Sequence, residues 1–183
     1  MVRALRLAPA VLAVLTALAV ASPAADAAPR WAHVTPAASP PATSQDPIAY
    51  DAATHQLVLF DGTNGGTWLW NGTTWTPAVP ATRPATRRNA VLAYDAATRQ
   101  LILFGGSSLS GAVNTTWSWT GTDWVQLAPP TSPPPTTQGS MAFDAATGQL
   151  LLFGGLVSVG NLETLSSDTW SWNGSTWTKL TPA

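Results

Sequence analysis

The chain has 183 residues, with eight Lys and Arg against nine Asp and Glu, ten Trp, sixteen Pro, fourteen Gly and no Cys. Near-neutral charge excludes a nucleic-acid face built on bulk basicity, and the lack of Cys excludes disulfides, thiolate metal sites and Cys-linked lipid. With one Lys and one Glu but abundant Thr, Val and Trp, the composition is that of a β-rich, turn-rich chain held by packing alone.

The first element is a leader. Met1 to Arg6 carry two arginines, Leu7 to Val20 are apolar, and Ala25-Asp26-Ala27 presents small residues at the two positions a signal peptidase reads. The expectation is a secretory signal peptide over 1–27. The apolar run is shorter than the ~20 residues that span a bilayer, and Pro9 interrupts it. About 155 residues then remain, the length of one domain, with six Lys and Arg against eight Asp and Glu and a formal charge of −2. The expected location is extracellular, with no membrane attachment after cleavage.

Residues 28–47 read as an N-terminal strand followed by a Pro/Ala-rich linker, with Trp31 at a position that recurs further along. Residues 48–183 then hold three copies of one unit, over 48–80, 91–129 and 140–183. The first contains IAYDAATHQLVLFDG and WLWNGTTW, the second LAYDAATRQLILFGG and WSWTGTDW, the third MAFDAATGQLLLFGG and WSWNGSTW. In each, a first strand ends at Tyr50, Tyr94 or Phe143, and Asp51, Asp95 or Asp144 opens a tight turn by accepting bonds from N–H groups ahead of it.

The second strand is an unbroken apolar run, Leu57 to Phe60, Leu101 to Phe104 or Leu150 to Phe153, which predicts cover on both faces. Gly62, the pair Gly105 and Gly106, and the pair Gly154 and Gly155 end it, where close backbone approach or positive φ is needed. The third strand carries two Trp on one face, Trp68 and Trp70, Trp117 and Trp119, or Trp170 and Trp172. A hairpin turn follows, and a fourth strand starts at Trp75, Trp124 or Trp177.

The spacing from Trp31 to Asp51, Trp75 to Asp95 and Trp124 to Asp144 is 20 in every case. By contrast Gly62 to Trp68 is 6, Gly106 to Trp117 is 11 and Gly155 to Trp170 is 15, so all drift in length falls between strands two and three.

These motifs resemble the kelch repeat, the glycine-doublet β-propeller unit also found in the central domain of galactose-oxidase-like proteins. The resemblance covers residues 31 to 183 and departs at Asp61, which stands where the first Gly of the doublet belongs. It implies an all-β fold of three four-stranded antiparallel kelch-like blades forming a partial β-propeller. Closed propellers need about four to eight blades. Three readings stay open: a truncated longer propeller, a ring completed by several chains through self-association, or an open arc.

The blade topology places the variable connections between strands two and three, and between four and one, at one end. That end is the expected binding face for an unknown protein or glycan. Its candidate contacts are Asn64, Arg83, Arg87, Arg88, Asn114, Gln138, Glu163 and Asp168. The basic cluster Arg83, Arg87 and Arg88 reads as a solvated loop and not as a nucleic-acid site.

His33 and His55 occupy freely varying positions, and no nucleophile with a base, metal-ligand cluster or cofactor motif is found. A Cys-free chain cannot form the Cys-Tyr crosslink of galactose oxidase. The expectation is a non-catalytic secreted scaffold without cofactor. The alternative is a truncated or accessory fragment of a secreted galactose-oxidase-like carbohydrate-active protein.

Overall fold

A computed structural model describes residues 30–160 and 162–181. The leader expected over 1–27 lies outside them. The chain divides into two units, Met1–Val34 and Thr35–Ala183. In the first, the described residues 30–34 are exposed and form no strand. No strand forms over 35–47 either, so the N-terminal strand expected within 28–47 does not form among the described residues 30–47, where Trp31 is fully exposed.

The second unit is all-β among its described residues. Sheet one consists of β1 (Ile48–Asp51), β2 (Gln56–Asp61), β3 (Gly66–Trp70) and β4 (Trp75–Ala78), each antiparallel to the next. Sheet two joins β5 (Val91–Asp95), β6 (Gln100–Phe104), β9 (Thr116–Trp119) and β10 (Trp124–Leu127). The small hairpin β7 (Ser107–Ser108) and β8 (Gly111–Ala112) is inserted in its middle.

Sheet three joins β12 (Ser140–Asp144), β13 (Gln149–Phe153), β16 (Thr169–Trp172) and β17 (Trp177–Leu180). Its middle connection forms the hairpin β14 (Leu156–Val159) and β15 (Leu162–Leu165). Strand β11 (Thr136–Thr137) adds to this hairpin, in the order β11-β14-β15. The first strands β1, β5 and β12 lie side by side, which sets the three sheets face against face in chain order.

The turns form as the residues dictate. Asp51 Oδ1 accepts from Ala53 N–H at 2.9 Å and Oδ2 from the Thr54 hydroxyl at 2.8 Å, and Asp144 repeats both bonds with Ala146 and Thr147. Asp95 accepts from Ala97 N–H at 3.0 Å but not from the Thr98 hydroxyl, and its Oδ2 is buried without a partner. The fifth position of this turn has positive φ in His55, Arg99 and Gly148, so any residue there must tolerate a left-handed backbone. The hairpins after β3, β9 and β16 are four-residue loops, and Asn71 and Asn173 hold theirs by accepting two backbone N–H bonds each.

Packing follows the two-residue period of the strands. Val58 and Phe60 of sheet one meet Leu101, Leu103, Trp117, Trp119 and Trp124 of sheet two. On the other face of sheet two, Ile102 and Phe104 meet Leu150, Leu152, Trp172 and Trp177 of sheet three. Strand β6 is therefore buried on both faces, as its apolar run implies.

The outer strands differ from that expectation, because each outer sheet has only one neighbouring sheet among the described residues. Leu57 and Leu59 are half-buried, and Phe153 is 55% exposed where its counterparts Phe60 and Phe104 are 0% and 1% exposed. Full burial of a side chain of this size contributes about 1.5–3 kcal/mol, so the middle sheet carries the larger share of the core.

One contact recurs at both junctions. Trp124 packs edge-on to Phe60 at 5.9 Å and donates its indole N–H to Thr67 Oγ1 at 2.9 Å, fully buried. Trp177 stacks on Phe104 at 5.1 Å and donates to Thr116 Oγ1 at 3.0 Å. The hairpins close the same junctions: a Cβ on Gly121 would stand 3.3 Å from Thr54 Cγ2, and one on Gly174 only 2.6 Å from Thr98 Cγ2. Gly is thus required by close approach as well as by φ at Gly174.

A backbone relay runs alongside. Asn89 N–H donates to the Gln45 carbonyl at 3.1 Å and Gln138 N–H to the Asn89 carbonyl at 3.0 Å, all three residues at positive φ.

Removing the hydroxyl at Thr67 or Thr116 strands a buried indole N–H. Thr67→Val and Thr116→Val are each expected to lower unfolding free energy by about 1–3 kcal/mol, measured by denaturant titration. At the turns, the Thr147 hydroxyl first, then Ala146 N–H, hold the Asp144 carboxyl below the ordinary carboxylate range. A depressed folded pKa gives stability that is present above the unfolded pKa and lost as pH falls through the folded one. Thr147→Val is expected to raise the Asp144 pKa and move that acid loss to higher pH, read by carboxyl-carbon NMR titration.

Candidate binding face

The connections between strands two and three project at the end away from the Asp turns, and they differ in build. In sheet one, Asp61 ends β2 and accepts from Thr63 N–H at 2.9 Å, while Asn64 Oδ1 accepts from Gly66 N–H at 2.7 Å. Asp61 therefore serves as a turn acceptor where the other copies carry Gly. In sheets two and three the longer connections fold into hairpins β7–β8 and β14–β15 and are not irregular loops. The signal was present: Leu156 to Leu165 has two β-rich runs broken at Gly160-Asn161.

Two clefts open among these connections. The first, about 390 Å³, is lined by Gly62, Thr63, Arg88, Ser107, Ser108 and Leu109 among others. Arg88 bridges to Ser107 through paired backbone bonds of 3.0 and 2.8 Å, and its side chain reaches Thr63 Oγ1 at 3.5 Å. The second, about 590 Å³, lies between the two hairpins and is lined by Ser110, Gly111, Pro135, Ser158, Gly160 and Glu163. Glu163 Oε1 stands 3.5 Å from Ser158 Oγ.

Of the eight expected contacts, Arg87 and Arg88 line the first cleft and Glu163 the second, and the structure does not gather the eight into one site. Arg83 and Asn114 are exposed at separate places, and Asn64 is engaged in its own turn. Gln138 belongs to the backbone relay. Asp168 pairs with Lys179 of β17 at 2.8 Å, an exposed ion pair worth at most ~1 kcal/mol.

Arg87 is buried. Its guanidinium donates to the Thr115 hydroxyl at 2.7 Å and to the carbonyls of Ala85 and Gly105, and it lies 6.0 Å from the Trp117 ring. Burial pulls its pKa down to about 10, so it stays cationic at neutral pH. The expected solvated basic cluster thus reduces to Arg83 and Arg88.

The residues that sequence reasoning missed are apolar. Leu109 at the tip of β7–β8, and Val159, Leu162 and Leu165 on β14–β15, are all strongly exposed. Strand β15 is the free edge of its sheet, with all four residues at the surface. Among the described residues no group of three or more His, Cys, Asp or Glu is placed to hold a metal ion.

The chain matches no protein-family model and no curated protein.

The two neighbouring arginines should separate in mutation. Arg87→Ala leaves the Thr115 hydroxyl and Gly105 carbonyl without their buried donor and is expected to cost about 1–3 kcal/mol. Arg88→Ala should stay within about 0.5 kcal/mol, as exposed substitutions do. Paired urea melts measure the difference.

Proposed function

We propose that the chain is a kelch-type β-propeller segment acting outside the cell as a non-catalytic scaffold that holds a protein at its loop end. One observation supports this above others. The connections that drift in length all lie at that end, and there they form hairpins with exposed Leu109, Val159, Leu162 and Leu165 beside two polar clefts. Apolar tips rimmed by Arg, Ser and Glu fit a protein surface, whose affinity comes from desolvated apolar anchors within a polar rim.

A glycan fits less well. Sugar rings stack on flat aromatic faces, and none of the residues lining the two clefts is aromatic. The free edge of β15 adds a second means of attachment, because its outward N–H and C=O groups can pair with a strand supplied by the partner.

The double substitution Leu162→Asp, Leu165→Asp alters only exposed positions and should leave the melting temperature within a few degrees of the parent. Affinity capture followed by mass spectrometry is expected to lose its specific protein partner with this variant. A glycan array should stay blank for both proteins. Undiminished capture, or array binding by the parent, would overturn the reading.

A further inference from the structure

The two outer faces of the sheet stack are complementary to one another. Sheet one presents Leu57, Leu59, Trp70 and Trp75, the counterparts of Leu101, Leu103, Trp119 and Trp124, which are the residues by which sheet two docks on sheet one. Sheet three presents Leu151, Phe153 and Thr169, the counterparts of Val58, Phe60 and Thr67, which receive that docking. We propose that a second copy of this chain covers both faces head to tail, giving a closed ring of six sheets.

Four details of the free faces match the contacts already made inside the chain. Trp70 and Trp75 lie 5.5 Å apart at 46°, close to the 5.2 Å and 50° of Trp119 with Trp124 and the 5.3 Å and 45° of Trp172 with Trp177. The docking pair is therefore preformed without its receiver. Phe153, the receiver, is 55% exposed while both of its counterparts are covered.

A cleft of about 460 Å³ beside Tyr50, His55, Leu57, Trp70, Asn71 and Gly72 opens where the preceding sheet's Asp turn would enter. Gly121 and Gly174 are touched by such a turn, through Thr54 and Thr98, while Gly72 has nothing within 4 Å. In the ring, the Thr147 turn of the other copy fills that space. The backbone relay also continues, from Gln45 N–H of one copy to the Gln138 carbonyl of the other.

Closure follows from counting. A head-to-tail contact either closes into a ring or runs on as a filament. Two chains make six sheets, within the four to eight that close, and three chains make nine, beyond it. Two-fold symmetry then forms both junctions at once.

The test is sedimentation velocity on the purified protein. The parent is expected to sediment as a dimer. Phe153→Glu on the receiving face and Trp75→Glu on the docking face should each sediment as a monomer with the parent's far-UV circular dichroism. Mixed in equal amounts, they should regain the dimer, because one keeps an intact docking face and the other an intact receiving face.

Should Trp75→Glu lose its β signal, Leu59→Glu takes its place. Thr147→Trp, at an exposed turn, provides a further break of the junction without touching the core. A monomeric parent, a Phe153→Glu protein that stays dimeric, or a mixture that stays monomeric would each overturn the ring. None of these outcomes bears on the loop-end partner, whose residues lie away from both faces.

Discussion

The structure depends on a buried indole that must find a hydroxyl on the neighbouring sheet. Trp124 and Trp177 each insert between two sheets, with the ring against Phe60 or Phe104 and the N–H on Thr67 or Thr116. An apolar contact alone would let the sheets slide, because dispersion and hydrophobic burial have little directional preference. The hydrogen bond fixes the register, since a buried N–H without a partner is penalised. Trp119 and Trp172 have buried indole N–H groups with no partner, so they contribute area but no such orientation. At the two junctions formed within the chain the last Trp of the copy acts as the latch, while Trp75 of the first copy meets no such hydroxyl among the described residues.

With register fixed by the latch, the two ends of the stack are free to diverge. At one end the Asp turns and the hairpins with Gly121 and Gly174 touch across junctions, so their lengths are constrained. At the other end the connections between strands two and three project past the core. They carry no latch, and they have grown into β7–β8 and β14–β15. Variation is thus confined to the end where it does not disturb sheet packing, which is also the end bearing the exposed leucines and the clefts.

Much of this was legible in the residues. The runs LVLF, LILF and LLLF gave the second strands, the Trp pairs gave the third, and the Asp turns formed with the acceptor bonds expected of them. What stayed hidden concerns neighbours and not local conformation. Period two shows that Phe60 and Phe153 point the same way from their sheets, but not that, among the described residues, only Phe60 has a sheet to point at.

The candidate contacts show a similar limit. Arg87 and Arg88 are adjacent and chemically alike and line the same cleft, yet one is buried on Thr115 and the other is exposed. That difference is set by which side of the chain faces Trp117. Trp31 shares the spacing of a strand-four Trp, but the described residues around it form no strand.

The backbone relay through Gln45, Asn89 and Gln138 has a direction, since Asn89 donates to Gln45 before it and accepts from Gln138 after it. A unit linked this way joins only to another of the same polarity. An in-frame duplication of one repeat would therefore lengthen the series without inventing any new contact. How many units such a protein contains would be decided by the curvature that brings first and last together, and not by the chemistry that joins one to the next.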